Sequence, residues 1–359
     1  MLKRIVSLGL VVIFLYSTCL GNAAYADSEK SIYNKSFFDD LKRRAIIHAL
    51  KENKISVNDD SLTETLDKIS QNSAYTNDNL QQELKKLEQA EYIYLTLDGD
   101  LYSSDQGYLG KADKAEPRDE SVTEVTYFDN LLDNYNDDYI NPLSKNNPTP
   151  TEVNGGTTGV FYREQLNFNG FDGVNSRFWI PRVKKLGEKE QPWMYYGFDA
   201  KNGKGIEGGF SYQTGREVWQ GYIRFGKEFE YSPGTWEILD DLQSVKFYID
   251  NVTFDAYLQV NYKQVVVMET SFNSSDLSTM SVKRVMSIAK DNFNGYNITG
   301  EVRGGGFLDT VVSSVRSDYY YPWEDYSTYS YWDGTKWFGT IDWPTYYIHY
   351  VRDMVQIYY

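Results

Sequence analysis

The chain has 359 residues, a formal charge of −15, and an aromatic content that includes 32 Tyr and 8 Trp. An acid excess of this size opposes nucleic acid and anionic membrane surfaces as partners. One cysteine, Cys19, and two histidines, His48 and His349, leave no disulfide framework, no Cys-ligated metal and no histidine-rich metal centre.

Residues 1–26 read as a secretion signal. Lys3 and Arg4 precede the apolar run 5–20, and Ala24-Tyr25-Ala26 fits a small-x-small cleavage site before Asp27. A retained anchor would need a longer run, and lipidation at Cys19 would need a smaller residue than Thr18 before it. The expectation is a secreted protein whose remaining length gives room for roughly two domains.

Residues 27–111 predict a small helical domain. Phe38, Leu41, Ala45 and Ala49 share one helical stripe, Leu62, Leu66 and Ile69 a second, and Leu80, Leu84 and Leu87 a third. A hairpin signal follows, with Tyr92 to Leu97, the turn Asp98-Gly99, and Asp100 to Tyr102. Three helices and a hairpin, with the run LEQAEYIYLTLDGDLYSSDQG, resemble a winged helix. That family implies DNA binding, but residues 27–111 hold eleven Lys/Arg against sixteen Asp/Glu. A protein partner or a structural cap is the better expectation for this module. His48 falls on the apolar stripe and reads as a packed histidine. Residues 112–154, rich in Asp, Asn and Pro, read as an acidic linker.

From residue 155 to 359 strand follows strand, at 158–163, 176–181, 193–199, 204–212, 217–225, 244–251, 254–260, 264–270, 282–288, 296–302 and 346–357. This predicts a mainly β protein, an antiparallel jelly-roll sandwich behind a small α+β domain. Its centre is the stretch 193–225, three strands joined across Asn202-Gly203 and across 213–216. Pairing Tyr212 with Glu217 sets Phe210 opposite Trp219 and Ile206 opposite Ile223 on an apolar face. Glu207 opposite Tyr222 and Gly209 opposite Gln220 then lie on the other face. A tight two-residue Asn-Gly turn adds Tyr196 and Phe198 to that second face. The candidate ligand-binding residues are therefore Tyr196, Phe198, Glu207, Gln220, Tyr222 and Arg224: aromatic planes for a pyranose and polar groups for its hydroxyls.

The segments YYGFDAKNGKGIEGGFSYQ, VWQGYIRF, SVKFYIDN and AYLQVNYKQVVV are similar to the concanavalin A-like lectin/glucanase sandwich. The chain also resembles the YrpD-type family of secreted Bacillus proteins, which implies an exported sandwich without an established activity. The lectin resemblance implies glycan binding, with calcium on sandwich loops as the one cofactor it allows; no ligand set for it stands out. The glucanase branch carries Glu-x-Asp-x-x-Glu along one strand, and nothing here matches. The lyase branch uses Arg, Gln-x-His and Tyr, of which Tyr347-Ile348-His349 is a faint echo. Asp98-Gly99-Asp100 lacks the third ligand and spaced Glu of a calcium loop. Gly304-Gly305-Gly306 precedes no helix, so it is no phosphate loop. An aromatic-rich stretch at 319–350 holds Trp323, Trp332, Trp337 and Trp343; its YWDGTKWF faintly resembles the hairpins of choline-binding repeats. The resulting expectation is a secreted, non-catalytic binder of cell-wall or environmental glycan. The alternatives are a polysaccharide lyase or hydrolase with a non-standard site, or a protein- or lipid-directed toxin-like protein.

Overall fold

The computed structural model describes residues 32–57, 61–71, 78–114, 151–152, 159–166, 168–226, 229–232, 242–261, 264–290, 299–317, 319–323, 328–333, 340–341, 345–347 and 350–358. The expected signal segment, most of the acidic linker, His349, Trp337 and Trp343 lie outside them. The described chain is a β-sandwich with a helical layer on one side.

The first sheet runs β20 (Thr340–Ile341), β22 (Tyr350–Tyr358), β17 (Glu301–Ser314), β7 (Phe171–Trp179), β13 (Leu242–Ile249), β14 (Ala256–Val260), β15 (Gln264–Met268), β1 (Glu91–Leu95), β2 (Asp100–Ser103), β3 (Gly107–Lys111). β8 (Arg182–Lys185) and β18 (Tyr321–Pro322) pair with β17, and β21 (Thr345–Tyr347) with β22. The second sheet runs β4 (Asp113–Lys114), β12 (Phe229–Tyr231), β11 (Val218–Phe225), β10 (Gly205–Gln213), β9 (Glu190–Asp199), β16 (Ser281–Lys290), β6 (Gly159–Leu166), β19 (Thr328–Asp333), β5 (Thr151–Glu152). Nearly all pairs are antiparallel; β1 with β15 and β5 with β19 are parallel.

Between the sheets lies the main core. Val174, Phe178, Phe247, Leu258 and Val266 of the first sheet meet Met194, Phe198, Ile206, Phe210, Ile223 and Met286 of the second. Phe178 anchors it, with edge-on contacts to Tyr196, Phe210 and Phe307 at centroid distances of 4.9, 5.5 and 4.9 Å.

The helices α1 (Lys35–Glu52), α2 (Leu62–Gln71) and α3 (Asp78–Gln89) form on the expected stripes. Asn34 caps α1 by accepting from the Phe37 amide at 3.3 Å. The stripes do not close on one another alone. Phe38, Leu41, Ala45, Leu84 and Leu87 share a core with Tyr248, Tyr257, Val265 and Val267 from the outer face of the first sheet. The hairpin read as a wing is β1–β2, and its first strand extends that sheet in parallel register, Glu91 with Gln264 through Leu95 with Met268. The chain then leaves β3 and adds β4 to the second sheet beside β12, so residues 91–114 supply strands to both sheets.

Register decides which side chains face out. β10 and β11 pair Gln213 with Val218 and Ile206 with Phe225. The turn thus takes residues 214–217, with Glu217 at φ 55. This slips the expected pairing by two and leaves every face unchanged. The β9–β10 turn differs in kind. The Ala200 amide bonds Lys204 O at 2.9 Å, which leaves the three-residue loop 201–203 with Gly203 at φ +84. One extra residue inverts β9 relative to the expectation. Tyr196 and Phe198 therefore point into the core with no exposed surface, while Trp193 and Tyr195 turn outward. Phe198→Ala is expected to cost about 3–5 kcal/mol in chemical denaturation, as for a core phenylalanine; an outward Phe198 would change stability by under about 0.5 kcal/mol.

Candidate functional site on the outer face of the second sheet

Four of the six candidate residues, Glu207, Gln220, Tyr222 and Arg224, share the outer face of the second sheet. Tyr196 and Phe198 do not. The Tyr196 hydroxyl is bonded to Ser176 Oγ, and Phe198 packs on Phe247 at 5.3 Å. Trp193 and Tyr195 take their places, a consequence of the three-residue loop that Asn202-Gly203 alone does not reveal.

Because the strands are in register, this face reads as rows across them. One row is charged: Gln165, Lys283, Gly197, Glu207, Arg224 and Glu230 on β6, β16, β9, β10, β11 and β12. The next is Arg163, Val285, Tyr195, Gly209 and Tyr222. A third brings Ser287, Trp193, Ser211 and Gln220. Gly197 is needed in the first row, since the Lys283 stem lies 2.5 Å from where its Cβ would be. Lys283 reaches across it to Asp199 at 2.7 Å.

Trp193 meets Tyr222 edge-on, with centroids 4.7 Å apart at 79°, and Tyr195 lies 6.4 Å from the same ring. Arg224 donates from Nε to Gly226 O at 2.8 Å, which fixes its guanidinium beside the turn. Gln220 donates to Ser232 O at 3.4 Å. Tyr222 and Arg224 are buried, at 0% and 1% exposure, whereas Glu207 and Glu230 are half-buried. The reachable part of the site is thus its carboxylate edge, with the aromatic trio behind it. Among the described residues no group of three or more His, Cys, Asp or Glu gathers at metal-binding distance.

The remaining candidates fall elsewhere. His48 is buried under α1 against Tyr248. Tyr320 and Trp323, from the aromatic-rich stretch, are buried, and Gly304–Gly306 lie within β17.

No protein-family model matches this chain, and no curated protein resembles it in sequence. Solved structures resemble it in fold. A scytalido-glutamic peptidase with a peptide-based transition-state analogue has a TM-score of 0.39 at 14% identity, over 56% of this chain and 98% of the other. SCP-B, an eqolisin peptidase in complex with the tripeptide Ala-Ile-His, has 0.35 at 13%, over 56% and 98%. A Bacteroides ovatus mixed-linkage glucan GH16 protein with a product has 0.25 at 9%, over 42% and 78%. These are likenesses of the β-sandwich alone and carry no reading of activity.

Proposed function

We propose that this chain is a secreted β-sandwich protein that binds glycan on the outer face of its second sheet. The observation that supports the reading is the adjacency of rows: Glu207, Arg224, Glu230 and Lys283 beside Tyr195, Tyr222 and Trp193. The half-buried carboxylates suit sugar hydroxyls, while the buried guanidinium and aromatic rings behind them hold that edge in place. The two glutamates are the residues a ligand meets first.

A second reading rests on the same row. Glu207 and Glu230 flank Arg224 on adjacent strands, so their backbones stand about 10 Å apart, two strand spacings. An inverting glycoside hydrolase holds its two carboxyl groups about 6.5–9.5 Å apart.

One experiment separates these. The full chain is incubated with insoluble and soluble polysaccharides, with depletion and new reducing ends measured in the same tubes. The expected result is retention without product, weakened about tenfold or more by Glu207→Gln or Glu230→Gln. Product release abolished by either variant would make the row catalytic. Retention indifferent to both variants would remove this face from the function. Tyr222→Ala is the poorer probe, since a fully buried ring reports stability first.

A further inference from the structure

The seam between α1 and the first sheet holds a linked set of titratable groups that sugar binding does not use. His48 stacks on Tyr248 at 3.5 Å and 15°, and its Nδ1 lies 3.2 Å from the Tyr320 hydroxyl. Tyr320 is hydrogen-bonded in turn to Ser313, and Ser313 donates to Asp172 Oδ1 at 2.6 Å. His48, Tyr320, Ser313 and Asp172 line one cleft of about 40 Å³, large enough for a water or two and too small for a sugar.

The charged groups around this relay are mostly matched among themselves. From α1, Arg44 pairs with Asp40 at 3.0 Å and with Asp250, after β13, at 3.4 Å. Lys246 of β13 pairs with Glu52 of α1 and Glu83 of α3. Lys51 of α1 acts on both ends, attracting the Asp172 carboxylate and repelling a proton from His48.

We propose that Asp172 and His48 form a compensating proton pair in the seam between the helical layer and the first sheet, so that their combined contribution to docking stays level as the medium acidifies. Burial raises Asp172 from 3.8 to about 6, only partly offset by Ser313 and Lys51. Burial, followed by Lys246 and Lys51, drives His48 well below 6.5. The Asp172 contribution is therefore present at low pH and lost as pH rises through about 6. The His48 contribution has the opposite sign: present above 6.5, lost as pH falls below it. At a pH below about 6 at which the docked His48 is still neutral, the docked seam holds a neutral carboxyl and a neutral imidazole. An opened seam holds a carboxylate and an imidazolium. Both states carry one proton in total, so acidification favours neither. Asp255, raised to about 7 chiefly by burial, adds a slope common to the wild type and its variants.

Hydrogen exchange of α1 amides in the full chain, at pH 5 and pH 7 and corrected for intrinsic rates, tests this. Relative to wild type, Asp172→Asn should lose about tenfold of its protection on acidification, and His48→Asn should gain about tenfold. Variants that keep the wild-type ratio overturn the proposal. Imidazole ¹⁵N spectra of the wild type give an independent readout that needs no folded variant other than H48N for assignment. His48 should titrate well below 6.5, and a titration near 6.5 overturns the pair.

Discussion

Replacing Arg284 with methionine is expected to cost the fold about 3–5 kcal/mol, and removing Glu164 in the same protein should recover most of it. The pair sits inside the sandwich. Arg284 of β16 donates from Nε to Glu164 Oε2 at 2.8 Å, and Nη2 donates to the same oxygen. Its Nη1 donates to Thr310 of β17 at 3.1 Å, so the guanidinium also ties the second sheet to the first. The Trp323 ring stacks 4.5 Å from its central carbon, and the two charged side chains are only 3% and 2% exposed. An arginine this deep is stable because its donors are matched, and desolvation offsets most of the attraction. Arg284→Met strands a carboxylate among apolar side chains. Glu164→Leu with Arg284→Met leaves nothing charged to strand. Urea midpoints of the two singles and the double decide it: a double variant no better than the worse single would mean that the pair is not a closed unit.

Much of the sandwich is legible in the sequence, and its failures have local causes. The faces of β10 and β11 survive a two-residue slip, because side chains alternate with period two. β9 reads wrongly because Met194, Tyr195, Tyr196 and Phe198 make both of its faces apolar, so only the turn could fix its direction. Asn202-Gly203 looks like a two-residue turn, yet it closes as a three-residue loop. β17 is placed at 296–302 by pattern but runs Glu301–Ser314, since its three glycines and its bulge near Asp309 mask the alternation. Glu164 and Arg284 are the hardest case. Hydrophobic periodicity assigns any charged residue to the solvent side, and only the cross-strand pairing reveals that they face each other in the core. At the candidate site the same rule helped: Glu207 and Arg224 do lie away from the core.

The helical layer was readable as helices but not as a layer. A signal was present in β15, whose run Gln264–Met268 is continuously apolar after its first residue and buried throughout. An antiparallel strand with one wet face alternates; one buried on both faces does not. The sequence of β15 thus already calls for a cover on the outer side, and α1 and α3 supply it.

Lys246→Met is expected to unfasten that cover, at about 3–5 kcal/mol. Lys246 rises from β13 with 1% of its side chain exposed and reaches Glu52 of α1 at 2.5 Å and Glu83 of α3 at 3.4 Å. Glu52 also accepts from Asn175 of β7, so one ammonium gathers two helices onto two strands. Methionine fills similar volume, but it removes the ammonium that lies over the Tyr248 and Tyr320 rings and leaves two largely buried carboxylates facing each other across the seam. The loss should be local at first. Amides of α1 and α3 should exchange faster than those of β9–β11, whose core lies between the sheets and does not involve the lysine. Uniform acceleration across both sheets would instead mean that helices and sandwich unfold as one cooperative unit. The parallel pairing of β1 with β15 is the contact through which that coupling would run.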